Sequence, residues 1–275
     1  MLDIILLIVG IAGFGLASYF DLKYTEFPDL LPYGMILAVL IIRVLFSFYS
    51  ADFNQLFGSI ITGLLFLAIG LGIYLSKQWG DGDAWLLGVL GFFLPNNFFN
   101  FQNSILPNYL SLLLNFFLIA FFYIVIYSFA MGFNKKDVRK LFFKRIKGEA
   151  RLSVLLSLIF FACYLVFLFY INYSIGIPAR NFYIHLSFPF LIVFIVFFLQ
   201  YAKSVESKLF KKKINVKELK PGDVIIGSRW KGLTEEEIKK IKRRGGTVWI
   251  KEGVRFAPVY LITLLVSVLV GGLLI

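Results

Sequence analysis

Apolar residues concentrate in eight stretches, each of about 20 residues, the length a helix needs to cross a bilayer. They are Leu2–Phe20, Leu31–Ser50, Leu56–Ser76, Ala84–Phe101, Pro107–Gly132, Leu152–Tyr173, Phe182–Tyr201 and Pro258–Ile275. Pro95 and the Asn-rich "NNFFN" shorten the fourth. It and the fifth can therefore also be read as one re-entrant segment plus one span. The first stretch has no basic start and no small-residue cleavage site, so it reads as a retained span rather than a removable signal. Polar residues dominate only at Lys203–Phe256. There "KPGDVIIG" predicts a turn into a short strand, "LTEEEIKKIKRR" a helix capped by Thr234 with Glu237, and "TVWI" a second strand. The fold class expected is an all-α membrane protein, a multi-spanning bundle of about eight helices, or six or seven, with a small cytoplasmic α+β module. Five segments follow: membrane helices 1–132, a basic loop 133–151, an additional helical pair 152–201, the soluble module 202–257 and a last span 258–275.

Composition supports the membrane reading. The 275 residues are 59% hydrophobic and 19% aromatic, with only 16% charged, against about 45–50% apolar in soluble domains. The net charge of +12 at first suggests a nucleic-acid partner, but its placement argues otherwise. With the N-terminus outside, the inner loops 21–30, 77–83, 133–151 and 202–257 hold 1, 1, 8 and 16 of the 28 Lys and Arg. The exceptions are Arg43, inside the second span, and Arg180. Such a bias orients spans with their basic loops in the cytoplasm, so both termini are expected outside. The basic face suits anionic lipid headgroups and no nucleic acid is called for. The lone Cys163 and lone His185, both in apolar runs, read as packing or interfacial residues. They leave no set of ligands for a cysteine zinc site and no Ser-His pair. Neither a metal nor a cofactor is expected.

Carboxylates beside membrane spans are costly and call for a reason. The short inner loops carry five: Asp21, Glu26, Asp29, Asp81 and Asp83. Asp21 closes the first span, and Asp81 and Asp83 precede the fourth, at the same depth. Gly10, Gly13, Ala17 and Asp21 share one helix face, and Ala84, Gly88 and Gly91 form a similar stripe after Asp83. Small residues let helices approach closely, so direct packing of spans one and four would join the two aspartates. Two adjoining carboxylates share one proton, and the pair can then activate water and protonate a carbonyl oxygen, as in the aspartic proteases. The glycines at 80 and 82 would admit an extended substrate backbone. Plainer roles exist for each acid. Asp83 could cap the fourth helix, Asp21 could face Lys23, Asp29 could cap the second helix, Asp81 could be solvated and Glu26 a loop charge. Tyr19, Phe20 and Trp85 read as interfacial anchors.

These motifs resemble a known family. "GDGD", Gly80–Asp83, fits the G-x-G-D signature of intramembrane aspartyl proteases. "DLKYTEFPD", Asp21–Asp29, is similar to the D-x6-P-[DN] segment of type IV prepilin peptidases, and "GDxxLLGxLG", Gly82–Gly91, to their continuation. The stretch from Gly232 to Ile262 resembles the C-terminal region of the archaeal branch, the preflagellin (archaellin) peptidases. The resemblance implies that Asp21 and Asp83 are the catalytic pair, with Asp81 in the variable position. It implies an aspartic endopeptidase that cuts pilin-like or archaellin precursors between a short basic leader and a hydrophobic helix, at the cytoplasmic membrane face. Gly80, Asp81, Gly82, Glu26 and Asp29 are the candidates for substrate contact. The chain lacks the cysteine-rich segment of bacterial relatives that also N-methylate, has Trp85 where many relatives carry Lys, and has more spans than the usual six. Two rival readings are a presenilin or signal-peptide-peptidase-like protease, which should show Pro-Ala-Leu where this chain has "FAPVYL", and a cation transporter or channel. A catalytically dead scaffold of pilus machinery is a third.

Overall fold

The computed structural model describes residues 2–94, 106–175, 182–219, 223–226, 233–251 and 253–273. Pro95 with the Asn-rich stretch, Arg180 and the turn at 220–222 lie outside them. Among the described residues the chain is mostly helical, in the order α1 (Leu2–Tyr24), α2 (Leu30–Ser50), α3 (Asn54–Leu75), α4 (Asp81–Phe92), α5 (Asn108–Gly132), α6 (Lys136–Ile175), α7 (Phe182–Val205), β1 (Lys211–Asn215), β2 (Val224–Ile225), α8 (Glu235–Arg244), β3 (Thr247–Lys251) and α9 (Pro258–Leu269).

Among the described residues four helices, α1, α2, α3 and α5, are long and apolar enough to cross a membrane, so the eight spans read from the sequence are not confirmed. Two of the expected spans are shorter in the structure. α4 has 12 residues, roughly 18 Å at 1.5 Å per residue, short of a hydrocarbon core of about 30 Å. Every residue from Leu86 to Leu94 is buried, which is how a helix that is apolar on all sides behaves in a folded chain. α9 likewise has 12 residues. The stretch expected as a basic loop at 133–151 is helical from Lys136 onward and runs without a break into an apolar segment, making α6 40 residues long. Lys, Arg and Leu propagate a helix well, and charge alone does not end one.

The chain forms two compact units, Met1–Ile124 with Ile214–Ile275, and Val125–Lys213. In the second, α6 packs against α7, and the Tyr201 ring stacks on Phe129 with centroids 4.7 Å apart. Cys163 is exposed on α6 rather than packed inside the chain.

In the first unit, glycines bring α3 and α4 into contact. A Cβ on Gly70 would lie 2.7 Å from the Ala84 carbonyl oxygen, one on Gly88 3.0 Å from Leu67 Cβ, and one on Gly91 2.6 Å from the Thr62 carbonyl oxygen. The small-residue stripe of α4 thus faces α3, not α1. The stripe on α1 has other neighbours, Gly10 lying beneath Leu264 of α9 and the Phe93 ring just past the far end of α4, and Gly13 beneath Met35 of α2. Direct packing of α1 on α4 through these stripes is therefore not what joins the two aspartates.

The buried end of α4 is held by side chains from its neighbours. Helix ends leave carbonyls without intrahelical partners, and in an apolar setting each must find a donor. Thr62 Oγ1 donates to the Gly91 carbonyl at 2.9 Å and approaches that of Leu94 at 3.3 Å. Ser59 donates to the Phe92 carbonyl, and Arg43 Nη2 to that of Phe93 at 2.8 Å. Arg43 is 1% exposed, so the one charge within α2 has a structural partner. α9 ends in a similar way, where Asn115 Nδ2 donates to the Gly271 carbonyl at 2.7 Å and its Oδ1 accepts the Leu273 N–H at 2.9 Å.

The polar module has a three-stranded sheet of order β1–β3–β2. β2 and β3 are antiparallel, with Ile225 opposite Ile250. The expected capping box is present, Thr234 accepting from the Glu237 N–H while the Glu237 carboxylate accepts from the Thr234 N–H. Val216, Leu219, Leu233, Ile238 and Ile250 form the module's small core.

Candidate active site

Asp21 lies near the end of α1 and is 6% exposed. Its Oδ2 accepts the backbone N–H of Ala257 at 2.8 Å. Ala257 is the N-cap residue of α9, and Pro258 follows at the first helical position. A helix N-terminus offers unpaired N–H groups and partial positive charge, which suits a carboxylate. The charge of Arg255 also reaches Asp21. The plainer reading, Asp21 facing Lys23, is not what the structure has, since Lys23 Nζ donates to the Tyr19 hydroxyl at 3.0 Å.

Asp83 is partly buried in the first turn of α4. Gly80, not Asp83, is the N-cap residue of that helix, with extended backbone at φ −73 and ψ 159. Asp83 sits three residues on, where a carboxylate can turn back toward the N-cap backbone. Its side chain does so, with the Gly80 backbone as hydrogen-bond partner. The Asp83 carbonyl oxygen accepts the Tyr260 hydroxyl at 2.7 Å. The charge of Asp21 reaches the Asp83 carboxyl, and residues 257 and 260 of one short segment bond to Asp21 and Asp83 respectively. The joining element is α9, which packs against both α1 and α4.

Aromatic rings close this region. Tyr260 is fully buried, stacked on Phe14 at 6.1 Å and tilted against Phe116 at 5.1 Å between centroids. Phe256 meets Tyr260 edge-on at 5.9 Å, and Trp79 lies 5.5 Å from Phe256. Ala257, Phe256, Tyr260 and Trp79 are not among the residues that the sequence singles out. One signal is there to be read. In "FAPVY", a small residue followed by Pro marks a helix start, and a helix start is where a buried carboxylate finds donors.

The remaining candidates lie at the margin. Asp81 is exposed, and its Oδ1 accepts the Gly82 N–H at 3.0 Å. Gly82 does not stand open for a substrate backbone as expected, because the Phe27 ring covers it, 2.7 Å from where a Cβ would be. Gly80 is less crowded, the nearest atom being Asp83 Oδ2 at 3.7 Å from its Cβ position. Asp29 occupies the N-cap position of α2 but makes no capping bond through its side chain, so the expected cap is positional only. Glu26 is exposed, yet it is charge-coupled to Asp223, Asp29 and Asp81. Loss of solvent, then these three acids, push its carboxyl above its ordinary value of 4.5. An acid raised in the folded state contributes stability that is complete below its unfolded pKa and is lost as pH rises through the folded one. Glu26→Gln is therefore expected to match the wild type in thermal stability below pH 4.5 and to exceed it at neutral pH. Melting curves in detergent across that range test this, and equal curves at neutral pH would refute it.

Residues 8–129 match the model of the type IV leader peptidase family, a stretch that includes both Asp21 and Asp83 and stops well before α9. No curated protein matches the chain. Residues 8–129 are thus similar to the type IV leader peptidase family.

Proposed function

We propose that the protein is an aspartic endopeptidase that removes the leader of pilin-like or archaellin precursors at the cytoplasmic membrane face, with Asp21 and Asp83 as the catalytic pair. The observation that carries this reading is that one short segment at the start of α9 bonds to both aspartates, in a chain whose residues 8–129 match the leader peptidase family. Two neighbouring carboxylates share one proton more readily than they both ionise. The ionised one takes a proton from water as its oxygen attacks the scissile carbonyl carbon. The protonated one gives its proton to the carbonyl oxygen. Collapse of the resulting diol breaks the C–N bond, and the leaving nitrogen takes a proton back. No metal or cofactor is needed for these steps.

The basic loops orient the site toward the cytoplasm by the positive-inside rule, which is where the leader of such a precursor lies. Glu26, Asp29, Asp81 and Asp223 make the site's margin locally acidic within a very basic face, and this suits a basic leader. A cation pathway is the weaker reading. Arg43, the charge deepest in the long apolar helices, is engaged with the end of α4.

The test is incubation of the detergent-solubilised protein with a pilin-like precursor that carries a basic leader and an apolar helix. One cut between leader and helix is expected, read by mass spectrometry of both products. Cutting within the apolar helix, or none, would count against the proposal.

A further inference from the structure

The segment Arg255–Tyr260 lies outside the family-matched residues, yet it touches both aspartates, and it touches them differently. Asp21 receives an N–H bond through its carboxylate from Ala257, at the start of α9 and within reach of the Arg255 charge. Burial disfavours the ionised form of Asp21, and these interactions oppose that cost. Asp83 receives its bond from this segment on the backbone carbonyl, from the Tyr260 hydroxyl. That bond fixes the position of the first turn of α4 and does nothing to neutralise the carboxylate. Asp83 has one backbone partner of its own, at Gly80, where Asp21 has two, at Ala257 and Phe256; the charges reaching Asp83 are those of Asp21 and Asp81, which disfavour ionisation, whereas the charge reaching Asp21 is that of Arg255.

We infer that this C-terminal segment divides the work of the pair: the start of α9 keeps Asp21 as the ionised base, so that Asp83 carries the shared proton, and Tyr260 is a positioning residue that holds Asp83 opposite it. The inference rests on the reading of Asp21 and Asp83 as the catalytic pair. It also accounts for Tyr260, a buried tyrosine whose hydroxyl has no place in the water-activating steps.

The test uses the full chain in detergent and Ala257→Pro, which removes the Ala257 N–H and leaves the Phe256 backbone bond to Asp21 in place. Ala257 has φ −54, within the range of proline. Loss of one hydrogen bond to a charged group should raise the lower carboxyl titration step by about one pH unit, seen by infrared spectroscopy of the carboxyl band. The acid limb of the pH–rate profile should move with it. Arg255→Gln is the second variant, with a smaller shift in the same direction that salt suppresses. Tyr260→Phe should lower kcat about tenfold and leave the lower step in place. An unmoved lower step in Ala257→Pro, or in Arg255→Gln at low salt if the proline variant does not fold, overturns the inference. The two readings can fail separately. A shifted step in a protein that cuts no precursor sinks the peptidase reading alone, and an unmoved step in a protein that cuts sinks the inference alone.

Discussion

Asp21→Asn and Asp83→Asn should each lower the rate of precursor cleavage by more than about a thousandfold, near the upper range for loss of a general acid or base. The amide is the same size as the carboxylate, so the local fold is retained. In the Asp21→Asn variant the amide oxygen can still accept the Ala257 N–H, which keeps the link between α1 and α9. What is lost is the shared proton, and one remaining carboxylate cannot act as base and acid together. Asp81→Asn is the control. Asp81 is exposed and its carboxylate accepts the N–H of the adjoining Gly82, so the rate should stay within a few fold of wild type. Near-normal cutting by either Asp21→Asn or Asp83→Asn would end the pair as proposed. A collapse in Asp81→Asn alone would move the role to Asp81.

Gly70→Ala should produce the next largest loss, about a hundredfold in kcat/KM, the scale of a misplacement of about 1 Å at a catalytic group. The added methyl would stand 2.7 Å from the Ala84 carbonyl oxygen and 2.9 Å from its Cα. Both are backbone atoms, so no side-chain rotation can make room. The first turn of α4 must move, and Asp83 is the residue before Ala84. Gly72, on the same helix, meets nothing within 4 Å of its Cβ position. Gly72→Ala should therefore be silent, or slightly stabilising through its helix propensity. Equal activity in the two alanine variants would show that α3 does not set the position of Asp83.

The elements differ in how far their sequence declares them. The long spans α1, α2, α3 and α5 are legible because an apolar run of about 20 residues has few other uses. The capping box at Thr234 is legible because its signal lies within four residues. α4 reads too long from its sequence, since apolarity reports burial and does not distinguish burial in lipid from burial in protein. Arg43 is the clue to its true length, because a lone cation in an apolar helix implies buried carbonyls nearby. The glycine stripes on α1 and α4 declare close packing but not the partner, which depends on the tertiary arrangement. The acids Asp21 and Asp83 can be placed at one membrane depth from loop counting alone. That α9 joins them cannot be read in this way, because its contribution is a backbone N–H, which every residue but proline carries, and a single tyrosine hydroxyl.

The place of α9 in the chain has a consequence for how the protein is made. Ribosomes deliver Asp21 and Asp83 well before residues 255–260. Until then Asp21 lacks the Ala257 N–H and the Asp83 carbonyl lacks the Tyr260 hydroxyl. A nascent chain therefore carries both acids without the frame that sets them to work. Order of synthesis thus leaves the two acids without these bonds until α9 is in place.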